Sequence, residues 1–443
     1  MTTKQATEQH LRQSSSLLVS DIQISRVASR LLSISVVRIL IDISYILYIQ
    51  PIHAYQYGFR FAYDPESLLL SWALLVSFAL IASIDLKERL SDLVINILFM
   101  VSFVPTTTII AYHGVEGEFV LVFSVYWAIL LIAKKLAPII STPSINGKTR
   151  KGVTWVATAV VVATALVISY SFTGFRVTID LFSAYELREE AADALLPGAL
   201  SSLFYFAKTA IPILAINHLE KKSYLSAALL CFCQLLVFSF DGSKSALFSL
   251  ALALILYLFV KRVTFDRVLI CMVAFVALSL VEKVCFGTAY LLNFAVRRLF
   301  CVPAVLNTYY YEFFSVNPID YYRQSVFSKL GIDSAYDVPI ANLIGMNYLG
   351  SDSYANNGMF ADAFANLGII GLIVMPICIV LVLRLLDSFS KGLSLAATAP
   401  LAVVAAFTFL SSSFFTVLIS HGLLLDIVLV LFLVRKEGAR DDE

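Results

Sequence analysis

Charge is what this 443-residue chain has least of: Asp, Glu, Lys and Arg make up 14% of it, against about a quarter in soluble globular proteins. A soluble fold for the whole chain is excluded on that ground. The 32 basic and 31 acidic residues leave a formal net charge of +1, so there is no electrostatic footprint for nucleic acid. The six cysteines, Cys231, Cys233, Cys271, Cys285, Cys301 and Cys378, show neither metal-ligand spacing nor a paired framework. Most lie in apolar runs, where the thiol acts as a small hydrophobe. Cys285 and Cys301 lie in or beside a long aromatic-rich stretch, and a bond between them stays open. His53, His113 and His421 are scattered singly, so no zinc or magnesium site is legible. No cleavable signal pattern precedes the first apolar run.

What is abundant is apolar sequence, 59% of the residues, with a mean hydropathy of +0.85. Apolar windows of about 18 to 22 residues, enough to cross a hydrocarbon core of about 30 Å, fall near 33–50, 67–84, 93–112, 119–136, 153–172, 201–217, 224–240, 245–260, 268–284, 368–386, 394–413 and 414–434. The pattern predicts an all-α polytopic integral membrane protein with about twelve transmembrane helices. Basic residues fix its expected orientation. With the N-terminus inside, the inner loops hold Lys4, Arg12, Arg26, Arg30, Lys87, Arg89, Lys134, Lys135, Lys148, Arg150, Lys151, Lys221, Lys222, Lys261, Arg262, Arg267, Arg384, Lys391, Arg435, Lys436 and Arg440. The outer loops, apart from the longest, hold Arg60, Arg176, Arg188 and Lys244. That is the positive-inside rule strongly obeyed, with both termini cytoplasmic.

The expected organisation is a cytoplasmic tail over 1–32, nine spans over 33–281 that include an outer loop at 173–200, a large outer loop over 282–367, three spans over 368–434, and a cytoplasmic tail over 435–443. The large loop is too rich in Tyr, Phe and Leu to be a disordered linker. It is expected to pack on itself and on the membrane face. Long structured loops between spans are where chemistry is first sought, and on the outer side, without ATP, a substrate must arrive already activated.

A face stripped of positive charge that keeps Arg176, Arg188, Lys208, Lys244, Arg297, Arg298, Arg323 and Lys329 suits a diphosphate, whose oxygens arginine takes bidentately. The competing reading pairs them with Glu186, Glu189, Glu190 or Asp320, or anchors the loops to headgroups. Tyr185 and Arg188, three apart, share a helical face on which a sugar could stack and a phosphate bind. They equally fit a solvated helix in which Arg188, Glu189 and Glu190 satisfy one another. Lys208, two turns into its span, either snorkels to the interface or points into a cavity. Arg38 and Asp42, four apart in the first span, read as a structural pair. Carboxylates available as a general base on the outer side are Asp180, Glu186, Asp241, Glu282, Glu312, Asp352 and Asp362.

Four stretches in order, DLFSAYELRE, DGSKSAL, RRLFCVPAVLNTYYYEF and NNGMFADAFANLGIIG, together with this topology, resemble the bacterial oligosaccharide repeat-unit polymerases, the Wzy-type O-antigen and surface-polysaccharide polymerases. The two-loop layout also resembles the GT-C-type lipid-linked glycosyltransferases. The resemblance implies transfer of a growing glycan from undecaprenyl diphosphate onto the non-reducing end of another lipid-linked repeat, at the outer face of the inner membrane. It implies no cofactor and no metal, with the lipid bilayer and a chain-length regulator in the same membrane as partners. Under it Arg188, Arg298, Glu186 and Asp362 are the expected catalytic residues. Arg176, Lys208, Lys244, Arg297, Arg323, Tyr185, Asn307, Tyr311, Asp352 and Asn357 are the expected binding residues for diphosphate and sugar. Lys244 stands where the family's G-x-R-S-like turn has Arg, which keeps the charge and loses the fork. The His-x-x-Leu-Gly element of the related O-antigen ligases is missing, and His421-Gly422-Leu423 sits at a short outer turn instead. A lipid-linked oligosaccharide flippase, or another twelve-span transporter, is the reading from a different class.

Overall fold

Backbone in hydrocarbon must satisfy its own N–H and C=O groups, so apolar windows can only become helices or a closed barrel. In the computed structural model they become helices. Residues 3–84, 89–180, 183–194, 196–260, 263–350 and 352–435 are described, without the side chains of 3–22, 56, 57, 185 and 329. Lys87, Lys261, Arg262, Lys436, Arg440, the side chains of Lys4 and Arg12, and the phenol of Tyr185 therefore lie outside the described residues.

The helices are α1 (Gln23–Tyr55), α2 (Pro65–Ile84), α3 (Leu90–Tyr112), α4 (Gly117–Leu136), α5 (Gly147–Thr173), α6 (Ala184–Asp193), α7 (Gly198–Glu220), α8 (Tyr224–Asp241), α9 (Lys244–Phe259), α10 (Phe265–Phe286), α11 (Leu292–Cys301 continuing through Val302–Val316), α12 (Ile340–Leu349), α13 (Phe360–Ser390), α14 (Leu395–Ser411) and α15 (Leu423–Phe432). Among the described residues nine of these, α1 to α5, α7, α8, α10 and α13, are long and apolar enough to cross a membrane. The chain is thus a polytopic, membrane-embedded helical protein. The shorter apolar helices α9, α14 and α15 stand where the sequence expects further spans.

Two groups of helices meet along α13 and α14. In the first, α1 packs on α10 and α2, α2 on α3, and α13 on α4 and α11; in the second, α5, α8, α9 and α14 surround α7, with α15 against α5, α7 and α13. α3 is wholly enclosed. Several buried charges pair: Arg38 Nε donates to Asp42 Oδ1 at 2.7 Å and to Thr108 Oγ1 at 2.7 Å, and its guanidinium lies 5.3 Å from the Trp72 ring. At the opposite end, Arg384 donates to Ser91 Oγ and Asp387 Oδ2, and Lys134 Nζ lies 3.6 Å from Asp92.

The first half of the 282–367 stretch forms α11, whose residues Leu292, Val296, Phe300, Cys301, Ala304, Val305 and Asn307 are buried. Asn307 Nδ2 reaches Thr106 Oγ1 inside α3 at 3.3 Å. α11 is covered by protein rather than lipid, so it can carry Asn293, Arg297, Asn307 and Glu312 that no lipid-facing span would hold. At the far end of the stretch, Gly368 takes φ 55° and ψ −137°, which breaks α13 into a short Phe360–Leu367 arm and a long span. That break falls where the sequence places the start of the span. Cys285 is exposed, Cys301 is buried, and both are free.

Candidate functional site

The described connections 58–64, 174–180, 287–289, 317–339, 352–359 and 412–422 lie at one end of the bundle with α6 and α12, and two recesses open there. The first, of about 400 Å³, is lined by Tyr310, Tyr322, Gln324, Asn356, Asn357, Asp362, Ser412 and His421, among others. Two buried acids line it, Asp320 and Asp362; Asp320 is taken up by the Ser334 hydroxyl and the Gln324 N–H, which donate to it. Tyr322 Oη donates to Asp362 Oδ2 at 3.0 Å, the Phe414 N–H donates to the same oxygen at 2.9 Å, and Asn366 Nδ2 donates to Oδ1 at 3.0 Å. A carboxylate accepts about four hydrogen bonds, so about one position is left for a ligand hydroxyl.

Local backbone explains how distant residues converge. Tyr321, Tyr322 and Met359 have φ of 55°, 58° and 51°, a region that bulky residues occupy only under constraint and at a cost of about 1–3 kcal/mol each. The Tyr321–Tyr322 turn is held by Asp320 and Tyr321 N–H groups donating to the Ala365 and Asn366 carbonyls at 3.0 Å, and by the Tyr322 N–H donating to Asn366 Oδ1 at 2.9 Å. Behind it, Gln324 bridges to Val338 O at 2.7 Å and accepts the Ile340 N–H at 2.8 Å. On the other wall Asn357 Nδ2 donates to Asn307 Oδ1 at 2.9 Å and Pro303 O at 3.1 Å.

The second recess, of about 450 Å³, is lined by Arg188, Leu196, Phe204, Tyr205, Lys208 and Asp241, among others. Lys208 Nζ lies 2.5 Å from Asp241 Oδ2, with both side chains about one-seventh exposed (14% and 16%), and 5.1 Å from the centre of the Tyr205 ring. α6 is seated over this recess because Gly242 ends α8 at φ 61°. A Cβ there would lie 2.3 Å from Ala184 O, so only glycine admits the close approach. Arg176 fastens the preceding loop, donating to Glu190 Oε2 at 2.6 Å and Ser239 O at 3.2 Å. The hydrogen bond and charge of Arg176 hold the Glu190 carboxyl below its ordinary value.

The two recesses are neighbours. Tyr205, from the second, meets the His421 ring of the first edge-on at 6.2 Å. His421 Nε2 lies 3.0 Å from Ser412 Oγ, and burial, followed by the charge of Lys208, pulls its pKa below 6.5. A neutral imidazole therefore separates a carboxylate recess from a cationic one.

Of the candidate acids, bases and binding residues read from the sequence, Asp362 and Asn357 line the first recess and Arg188, Lys208 and Asp241 the second. The others are elsewhere. Arg297 and Arg298 ride on α11 against α1, α3 and α10, and line neither recess. Arg323 sits 5.3 Å over its neighbour Tyr321, Tyr311 donates to Glu118 at 3.2 Å, Asp352 accepts from Asn342 at 3.1 Å, Asn307 is bound into α3, and Glu186 is exposed. Lys244 begins α9 beside the second recess without lining it. The three arginines expected to act together thus divide between two places, because adjacency in sequence put Arg297 and Arg298 on a helix of the first group. Tyr322 and His421 are the residues the sequence did not single out for the site. Their only signals were the tyrosine pair and a histidine at a short turn. Among the described residues no group of three or more His, Cys, Asp or Glu could hold a metal ion. Comparison of the chain with family models, curated proteins and solved structures returns no match.

Proposed function

We propose that the protein is a membrane glycosyltransferase that polymerises lipid-linked oligosaccharide repeat units, acting from the loop-rich face, which is then periplasmic, with α9, α14 and α15 completing twelve spans. The observation that carries the reading is Asp362: a buried carboxylate with about one open acceptor position, in a recess whose polar lining is mainly Tyr, Asn, Gln and Ser, with Asp320 already hydrogen-bonded to Ser334 and Gln324, beside a second recess holding Lys208 and Arg188. Phenol rings and amides are what sugars stack on and hydrogen-bond to; cations are what a diphosphate needs. In the step we envisage, the acceptor sugar hydroxyl bonds through oxygen to the anomeric carbon of the donor. The bond from that carbon to the diphosphate oxygen breaks, and the leaving group keeps the electron pair. Asp362 takes the hydroxyl proton. Lys208 and Arg188 offset the charge gathering on undecaprenyl diphosphate. The earlier expectation that Arg297 and Arg298 share this task is not carried forward, since they sit on another helix group.

The test is polymerisation of purified lipid-linked repeats by the protein in detergent, with Asp362→Asn and Tyr322→Phe compared. Lengthened glycan from the wild type, and at least a hundredfold less from the Asp362 variant, is expected. An Asp362→Asn protein that is folded and fully active removes the carboxylate from the chemistry. A second reading draws on the break at Gly368: carriers bind substrate on interrupted helices, and a flippase of lipid-linked oligosaccharide would use such an arm. Detergent separates them, because it has no second compartment. A protein that never lengthens its substrate there and moves it across liposomes is the carrier.

A further inference from the structure

At the end of the bundle opposite the two recesses, a cavity of about 790 Å³ opens between α5, α7 and the C-terminal segment, with Lys151, Trp155, His218, Glu220, Lys221 and Arg435 in its wall. Three cations from three separate parts of the chain face one carboxylate. The segment supplying Arg435 is fastened, not loose: Arg150 Nη1 donates to Leu431 O at 2.5 Å and Leu433 O at 3.2 Å, Asn217 Nδ2 donates to Val434 O at 2.9 Å, and Arg435 itself donates to Phe389 O at 2.9 Å. Deeper in, His218 Nε2 lies 2.9 Å from Thr158 Oγ1, and Trp155 meets the His218 ring edge-on at 5.0 Å. Apolar side chains at the cavity's edge face outward: Trp155, in its wall, is 48% exposed, and Leu225, two residues beyond the lining Ser223, is 87% exposed.

We propose that this cavity is a binding site for the phosphate headgroup of an anionic phospholipid, held by Lys151, Lys221 and Arg435, with its acyl chains leaving past Trp155 and Leu225. Basic cavities between helices at a membrane boundary suit such headgroups, and a half-exposed Trp sits at the headgroup level where one end of the ring is wet. The exposed apolar edge, Trp155 and Leu225, is what separates a lipid from a free phosphate, which has no use for it. The charge asymmetry of the loops makes this the cytoplasmic leaflet. The site is independent of the transferase reading, since it lies at the other end of the bundle.

The experiment counts retained lipid by native mass spectrometry after extraction from nanodiscs of phosphatidylcholine with and without phosphatidylglycerol. The wild type is expected to retain one phosphatidylglycerol that the Lys151→Gln/Lys221→Gln double variant loses, its retention weakened about tenfold to thirtyfold by removal of two cations. Both side chains are exposed, so the variant is expected to fold, and a matched melting curve verifies that it does. Lys148→Gln/Arg267→Gln, basic residues of the same end outside the cavity, should retain the lipid as wild type does. Equal retention by the two double variants overturns the site. Displacement of the lipid by millimolar inorganic phosphate, with no preference for phosphatidylglycerol over phosphatidylcholine, overturns the lipid assignment.

Discussion

Gly358 follows Asn356 and Asn357, which line the carboxylate recess, and packs closely on the end of α14, so Gly358→Ala tests how that wall is supported. A Cβ at this position would lie 2.0 Å from Phe409 O and 2.5 Å from Ser412 O, where carbon and oxygen ordinarily stay about 3.3 Å apart. Both oxygens are backbone, so no side chain can swing aside. The 356–359 segment must retreat by about 1 Å from the end of α14, and the Gly358 N–H bond to Leu410 O, 2.9 Å, goes with it. Overpacking of this kind costs about 1–3 kcal/mol and the hydrogen bond about 1, so the variant should lose about 2–4 kcal/mol. The displacement also reaches function, because Asp362 lies four residues on and is oriented by the Phe414 N–H from the neighbouring loop. Melting in detergent and glycan length in a cell are the assays, with Gly152→Ala as the control: a Cβ at that helical position would meet nothing outside its own helix within 4 Å, and alanine there should gain up to about 1 kcal/mol. A Gly358→Ala protein that melts with the wild type and makes glycan of normal length refutes the close packing of 358 on α14.

Other outcomes follow from the same geometry. Lys208→Met should destabilise by about 1–3 kcal/mol, less than the 3–5 of a fully enclosed pair because both ends retain water, and Lys208→Met/Asp241→Asn should recover most of it; a double variant that melts lower than the single one denies the pairing. Arg188→Ala should shorten or abolish the glycan while Arg298→Ala leaves its length unchanged, read from glycan ladders of variants shown to reach the membrane; the reverse order would return Arg298 to the site. For Glu190 the folded carboxyl titrates below its unfolded value, so the Arg176 tie is present above the ordinary carboxylate range, near pH 4.3, and weakens as pH falls through it. Amide protection of α6 should accordingly hold down to that range and then drop, and the drop should vanish in Arg176→Gln.

The spans were legible because each lipid-facing helix must be apolar along its whole length, and that is a property of consecutive residues. α11 was illegible for the same reason turned round. Its Arg297, Asn307 and Glu312 are screened by other helices, so its sequence never had to pass for lipid-soluble, and it read as loop. Asp362 and Asn357 could be suspected from the Asn-Asn-Gly turn ahead of an apolar run. Tyr322, 40 residues away, and the Phe414 amide, 52 away, could not, since nothing in spacing records which loop folds over which. Lys208 and Asp241 were each visible as odd charges at span ends; only the packing of α7 on α8 makes them a pair.

The enclosure of α3 bears on how the molecule is made. Its Asn96, Ser102, Thr106, Thr107 and Thr108 are all buried, and the helices that cover them include α11, α13 and α14, synthesised after residue 290. A nascent chain therefore holds α3 half-clad for most of translation, its hydroxyls turned toward acyl chains until the last third arrives. A ribosome stalled before α13 leaves an orphan that membrane proteases should recognise and destroy, whereas one stalled beyond α14 leaves a third helix already sheltered.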